Sequence, residues 1–319
     1  MDVITVLYEH PEWFKPLFAE LDRRGLRYLE VDANRLTFDP SALETDRALV
    51  VNRMSPSAHL RGHTRAIFTT LHYLAYLKEA GVPTVNGYDA FRVEISKAAQ
   101  LSLLQKLGLR HPKARVINDP ALAPAAAQAL RYPVLVKPNV GGSGAGIRSF
   151  GSPAELEAAL RDGSFDLGID GTALIQQRLT PRDGHIVRVE VLNGELLYAI
   201  RIFPKAAFNL CPADICQEKA ASADLCPADG APKQGLRIEP HEPPERVVRE
   251  ALAIAAAAHL DLGGIEYLVD DRDGEVYYYD INALSNFVTD APRVVGFDPF
   301  VDLVDFLAAR LEAGAAARR

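Results

Sequence analysis

The 319-residue chain contains no uncharged apolar run of about 18 residues, and it opens on Met1-Asp-Val-Ile-Thr-Val without a basic start or a long apolar core. A spanning helix and a secretory leader are therefore not expected, and the reading is a soluble, cytoplasmic protein with no membrane partner. Lysine and arginine never form a run and the formal net charge is −7, which argues against a nucleic-acid surface. The three cysteines, Cys211, Cys216 and Cys226, are spaced C-x4-C and C-x9-C with no histidine among them. Zinc sites favour closer pairs and a fourth ligand, so these read as reduced thiols. His10, His59, His63, His72 and His111 are scattered without ligand spacing. No internal repeat shows at a period of about 20 to 50 residues.

Familiar phosphate motifs are missing too. No G-x-x-x-x-G-K-[ST] occurs, H-R-D and D-F-G are absent, and Ile147 stands where a dinucleotide fingerprint needs its third glycine. What is present is Tyr132-Pro-Val-Leu-Val-Lys137-Pro138-Asn139-Val-Gly141-Gly142-Ser143-Gly144-Ala-Gly146-Ile-Arg148. Val134 to Val136 form a β-branched apolar run suited to a buried strand, and Pro138 is expected to stop ladder pairing directly after it. Lys137 then projects from a rigid strand end. Gly141, Gly142, Gly144 and Gly146 let the backbone turn through positive φ and bring N–H groups against phosphate oxygens. The alternative is a glycine-rich hairpin with a solvated lysine.

A second segment runs from Gly263-Gly-Ile-Glu266 to Asp280-Ile281-Asn282. Asp280 and Asn282 are two apart in a strand-like stretch and share a sheet face. With Glu266 they offer two carboxylates and an amide, a donor set suited to magnesium shared with substrate phosphates, and manganese is the alternative ion. Solvated acids at a hairpin rim would explain Asp270, Asp271 and Asp273, which are turn formers. That reading explains Asp280 and Asn282 poorly, because both residue types are depleted from strands.

Strand-like Val3–Leu7, Tyr28–Val31 and Leu49–Val51 alternate with helical stretches such as Leu60–Ala80, which indicates an α/β unit with a mainly parallel sheet. Long strand pairs follow from about residue 184, then the helices Pro244–Leu260 and Pro299–Leu311 and a fraying tail from Gly314. The length allows two to three small domains.

Together these segments resemble the ATP-grasp superfamily, in its glutathione synthetase and RimK-like carboxylate-amine ligase branch. The resemblance covers most of the chain. It implies an α/β fold divided into an N-terminal Rossmann-like domain over residues 1–92, a central nucleotide lobe over 93–180 and a C-terminal α+β catalytic lobe over 181–319. Glu94-Ile-Ser96-Lys97 through Gly108 is similar to the helix carrying the family's first phosphate lysine, implying Lys97, and Lys137 with Gly141, Gly142, Ser143, Gly144 and Gly146 is similar to its second lysine and phosphate loop. Thr172 to Leu179 resembles the hinge strand that receives adenine, implying Gln176, Gln177 and Leu179. Glu266, Asp280 and Asn282 fall on the family's magnesium ligands. The family often has an acid where Gln177 stands and an Asp where Ile186 stands, which leaves Asp183 or His185 as alternative ribose contacts.

Arg188 and Arg201 match the stretch in which the family places arginines near the acyl phosphate. An arginine aimed at the oxyanion of the second step contributes about 10²- to 10³-fold, and Arg201 is the first choice, Arg188 the second. Either fork could instead hold a substrate acid group, or half of an ion pair. Arg53, at the carboxyl end of a strand, faces the acceptor substrate on one reading and a serine-capped turn on the other. Residues Pro204 to Gln234, with the cysteines, occupy the place of a substrate-covering loop in related ligases. The implied function is an ATP-dependent ligase joining a small-molecule carboxylate to an amine, an amino acid or small peptide, with ATP and magnesium as cofactors and room for a homo-oligomer. A small-molecule kinase on the same fold is the alternative, and a nucleotide-binding scaffold with dead chemistry is a third class.

Overall fold

The computed structural model describes residues 3–43, 46–142, 144–203 and 237–317. In chain order the elements are β1 (Ile4–Tyr8), α1 (Lys15–Arg23), β2 (Tyr28–Asp32), β3 (Leu49–Arg53), α2 (Thr64–Glu79), β4 (Thr84–Val85), α3 (Tyr88–Glu94), α4 (Lys97–Lys106), β5 (Ala114–Ile117), α5 (Ala123–Gln128), β6 (Val134–Pro138), β7 (Arg148–Phe150), α6 (Pro153–Arg161) and β8 (Ala173–Gln177). There follow β9 (Ile186–Leu192), β10 (Glu195–Phe203), β11 (Arg237–Pro240), α7 (Glu245–Ala257), β12 (Leu262–Val269), β13 (Val276–Asn282), α8 (Ala291–Val294) and α9 (Pro299–Ala317). Ser143 and residues 204–236, with the three cysteines and the expected substrate-covering segment, lie outside the described residues.

Three sheets organise the chain. The first is parallel, in the order β2-β1-β3-β4. Its inner strand β3 is buried at every position while the edge strand β2 has only exposed and half-buried residues, as expected when helices cover both faces of the middle of a parallel sheet. The stretch expected as one helix from Leu60 to Ala80 divides into a 3₁₀ turn, Pro56–Arg61, and α2, because Gly62 takes the left-handed conformation between them. The second sheet, β5-β8-β6-β7, is antiparallel. Pro138 does not end pairing outright: β7 stops at Val136, but Lys137 and Pro138 stay in register with Leu174 and Ala173 of β8, which can bond a strand edge that needs no proline N–H.

The third sheet, β11-β10-β9-β12-β13, is antiparallel and its two faces enter different cores. Val187, Val189, Val191, Ile265 and Ile281 pack under α7 and α4. Ile186, Ile200, Ile202 and Leu268 look the other way, into a core shared with Ile4 and Val51 of the first sheet, Leu17 of α1 and Leu303, Leu307 and Leu311 of α9. The last helix thus packs on the N-terminal unit and stays helical to Ala317, beyond the point where the glycine was expected to fray it. Among the described residues no helix is long and apolar enough to cross a membrane.

Asn86, left-handed at φ 50°, joins the first sheet to the third. Its Nδ2 donates to the carbonyls of Leu262 and Ala283, both at 2.6 Å, and its Oδ1 accepts from the N–H of Asp261 at 2.9 Å. A buried amide with every hydrogen-bonding group satisfied is a rigid joint.

Candidate active site

Lys97, Lys137, Gly141, Gly142, Gly144, Gln176, Leu179, Arg188, Glu266, Asp280 and Asn282 all line one cavity of about 440 Å³. Residues from the second and third sheets and from α4 therefore converge. Gly146, Gln177 and Arg201 do not line it, and Ser143 lies outside the described residues.

The two lysines meet because one amide holds both their elements. Ser96 caps α4 by accepting from Ala99 N–H, so Lys97 sits in the first turn of the helix. Asn139, two residues after Lys137, accepts from Ala98 N–H through its side chain at 3.0 Å and from Lys97 N–H through its carbonyl at 3.1 Å. Gln100, one turn along α4, bonds both the carbonyl and the N–H of Ile281, at 2.8 and 3.2 Å. That staple sets Lys97 against the strand bearing Asp280, and Lys97 Nζ bonds the Asp280 carboxylate directly.

The acids and Arg188 form a row across three strands. Arg188, Glu266 and Asp280 are register partners on β9, β12 and β13, so their side chains leave the same face. Arg188 Nε bonds Glu190 at 2.5 Å and its Nη1 bonds Glu266 at 3.1 Å. Gly264 makes room for this: a Cβ there would collide with the Arg188 guanidinium. A bulge leaves Tyr279 unpaired between Asp280 and Tyr278, and both Tyr279 and Asp280 line the cavity.

Burial raises the Glu266 proton affinity, and the neighbouring Asp280 charge adds to it. Burial also acts upward on Asp280, but Lys97 and then Lys137 outweigh it and hold Asp280 below its ordinary value. Lys137 is pulled down by burial, against the opposing charge of Asp280. Among the described residues no three His, Cys, Asp or Glu side chains group as a metal cage. Two carboxylates and the Asn282 amide instead suit a hard cation that completes its shell on substrate oxygens.

Arg201 lies on the other face of the sheet. Between Leu196 and Tyr198 the β10 register slips by one residue, so Arg201 pairs with Val187 and not with Ile186. A one-residue slip exchanges faces for everything downstream. Arg201 therefore sits with Tyr267 and His241, where its buried Nε has no partner among the described residues. Of the two candidate arginines, Arg188 lines the cavity and Arg201 does not.

Other expectations are displaced more gently. Of the four loop glycines only Gly144 and Gly146 have positive φ; Gly142 is instead pressed on the first sheet's unit, with Ser57 Cβ 3.2 Å from where its own Cβ would stand. Gln177 turns from the cavity, its amide oxygen accepting from Arg272 Nη1 and Nη2 at 2.6 and 2.7 Å. Asp183 and His185 do not line the cavity, whereas Arg178, Thr180 and Gly184 do. Glu94 is an addition. Its buried carboxyl, pushed up to about 7 by burial, accepts from the N–H groups of Ala283 and Leu284 and so shapes the turn after Asn282.

No protein-family profile matches the chain. It is 28% identical over 305 residues to the D-alanine–D-alanine ligase of Stutzerimonas stutzeri, covering 93% of this chain and 88% of that protein. The ATP-grasp ligase PsnB, solved with a minimal precursor, Mg and ADP, superposes with a TM-score of 0.65 at 22% identity, covering 97% of each chain. A RimK-domain ATP-grasp protein from Sphaerobacter thermophilus superposes with a TM-score of 0.65 at 18% identity, covering 95% of this chain and 99% of that one.

Proposed function

We propose that this chain, an ATP-grasp protein by its fold, is an ATP-dependent carboxylate-amine ligase that forms an amide through an acyl phosphate and releases ADP and phosphate. The observation that carries this reading is the cross-strand row Arg188, Glu266 and Asp280 facing Lys97 in a cavity also lined by Lys137. Near full-length similarity to a D-alanine–D-alanine ligase supports amide formation over simple phosphorylation, so a kinase is not favoured.

Phosphoryl transfer is mostly positioning and charge neutralisation, and it needs no protein nucleophile. Lys97 and Lys137 take the phosphate oxygens, with the backbone of Gly141, Gly142 and Gly144 beside them and Gln176 and Leu179 at the base end of the nucleotide. Glu266, Asp280 and Asn282 hold magnesium, or manganese in its place, which when bound neutralises the charge spread over the transferring group. Arg188, fixed between Glu190 and Glu266, is oriented before substrate arrives. Its guanidinium, in the cavity wall, faces the carboxylate being activated and then the oxyanion formed when the amine attacks. On this reading the nucleotide lobe spans residues 93–180 between the N-terminal unit and the catalytic lobe.

The substrates are an amino acid or small peptide on each side of the new bond, a reading supported by the similarity to a D-alanine–D-alanine ligase. The test is ADP release from magnesium-ATP with pairs of amino acids and dipeptides. Release is expected only when both a carboxylate and an amine are supplied, with one amide formed per ADP. Amine-independent ADP release with a stable phosphorylated product would return the kinase.

A further inference from the structure

Arg53 closes β3 at the carboxyl end of the parallel sheet, where such sheets meet ligands. It is 1% exposed. One nitrogen, Nη2, donates to the Ser285 carbonyl, and the guanidinium carbon stands 5.2 Å from the centre of the Phe14 ring. Nε and Nη1 have no hydrogen-bond partner among the described residues. The contrast with Arg188, which grips two carboxylates, is plain. A buried guanidinium with two donors left unpaired among the described residues is costly to the fold, so its retention calls for a partner that arrives from outside.

The surroundings say what that partner is. Arg53 itself is not among the residues lining the cavity, but Ser55 and Ser57, which follow it in the chain, and Ser285 and Asn286, on its carbonyl partner's segment, are. So is Glu190, which is 1% exposed and has one carboxylate oxygen, Oε2, with no partner among the described residues. Burial draws the Arg53 pKa down to about 10, against the charges of Glu190 and Glu94, and this still leaves a full cation at neutral pH. A planar fork with spare donors suits a carboxylate, and a spare carboxylate oxygen beside it suits an ammonium.

We infer that Arg53 anchors the free carboxylate of an amino acid substrate, the carboxylate that is not activated, with Glu190 Oε2 receiving the neighbouring ammonium. The inference rests on the ligase reading only for which bond is made; binding can be read without turnover. A site built to bond a carboxylate rejects the matching carboxamide by about 10²-fold or more, because the fork is then left half-paired.

The experiment measures thermal stabilisation of the full chain, with magnesium-ATP present, by each standard amino acid, by D-alanine and by the corresponding amino acid amides. At least one free amino acid should stabilise the wild type, its amide requiring a concentration about 10²-fold higher. Arg53→Met should abolish that preference while ATP affinity holds and the unliganded melting temperature stays or rises, since buried donors without hydrogen-bond partners have been removed. Arg53→Lys keeps the charge without the fork and should retain the acid preference at an affinity about tenfold or more weaker. A melting temperature and ATP affinity that fall together in Arg53→Met would mark a structural brace and overturn the inference. So would an unchanged acid preference in Arg53→Met, wild-type amino acid affinity in Arg53→Lys, or a wild type that no amino acid stabilises over its amide. Failure to form any amide would count against the ligase reading and leave these binding readouts standing.

Discussion

The two faces of the five-stranded sheet draw alternate residues from the same strands and could hardly differ more. On the cavity face Arg188, Glu190, Glu266 and Asp280 are packed as charges within hydrogen-bonding reach of one another or of Lys97. On the other face Val187, Val189, Ile265 and Ile281 make an ordinary apolar core under α7. The strands are rigid because one face is a core, and that rigidity holds the charges of the opposite face in a fixed row. Changes on the cavity face should therefore act on chemistry, and changes on the other face on stability.

The largest expected effect tests the chemical side. Asp280→Asn keeps the shape and removes one carboxylate, and turnover with saturating magnesium-ATP should fall by about 10³-fold, the scale of several kcal/mol of charge stabilisation. Turnover within a few-fold of wild type would remove Asp280 from the site. Next, Arg188→Lys should lose about 10²-fold in amide formation at near-normal ATP affinity, while Arg201→Ala leaves turnover unchanged. The opposite ranking would say that the sheet faces have been assigned the wrong way round.

Gly264→Ala is subtler. The added methyl must push the Arg188 guanidinium from its place, so a loss of about tenfold in turnover is expected together with about 1 to 3 kcal/mol of overpacking, read by denaturant titration. The smallest effect belongs to the other face. Burial, then the charges of Arg201 and His185, lower the His241 pKa to about 4. The folded state thus resists protonation that the unfolded chain accepts near its ordinary value. Stability is full above that value and declines as pH falls towards about 4, by on the order of 1 kcal/mol once partial exposure is discounted. His241→Gln should flatten this slope in pH-dependent melting and leave turnover at neutral pH as it was.

How much of this was legible beforehand follows from how local the information is. The parallel first sheet, the lysine-ending strand with its glycine loop and the Asp-x-Asn pair are written in short contiguous stretches, and the expected ATP-grasp fold agrees with the solved ligases. That Arg201 faces away from the cavity depends on a single unpaired residue, Leu197, which no periodicity announces. Gln177 was read as a nucleotide contact, yet its amide turns to Arg272, far along the chain. Asn139, Gln100 and Glu94 were passed over for the same reason. Each is one polar side chain whose meaning lies in a partner that only the folded chain supplies.

The Asn86 joint bears on how such an enzyme can be altered by recombination. Its amide bonds the peptides of Asp261, Leu262 and Ala283, at the ends of the two strands that carry Glu266 and Asp280. Exchanging the first sheet for that of a relative would sever all of these unless the incoming chain offered the same amide at the same left-handed turn. The unit holding Arg53 and the strands holding the acids are thus inherited as one piece, and a chimera that respects the joint is the one that keeps both halves of the cavity in register.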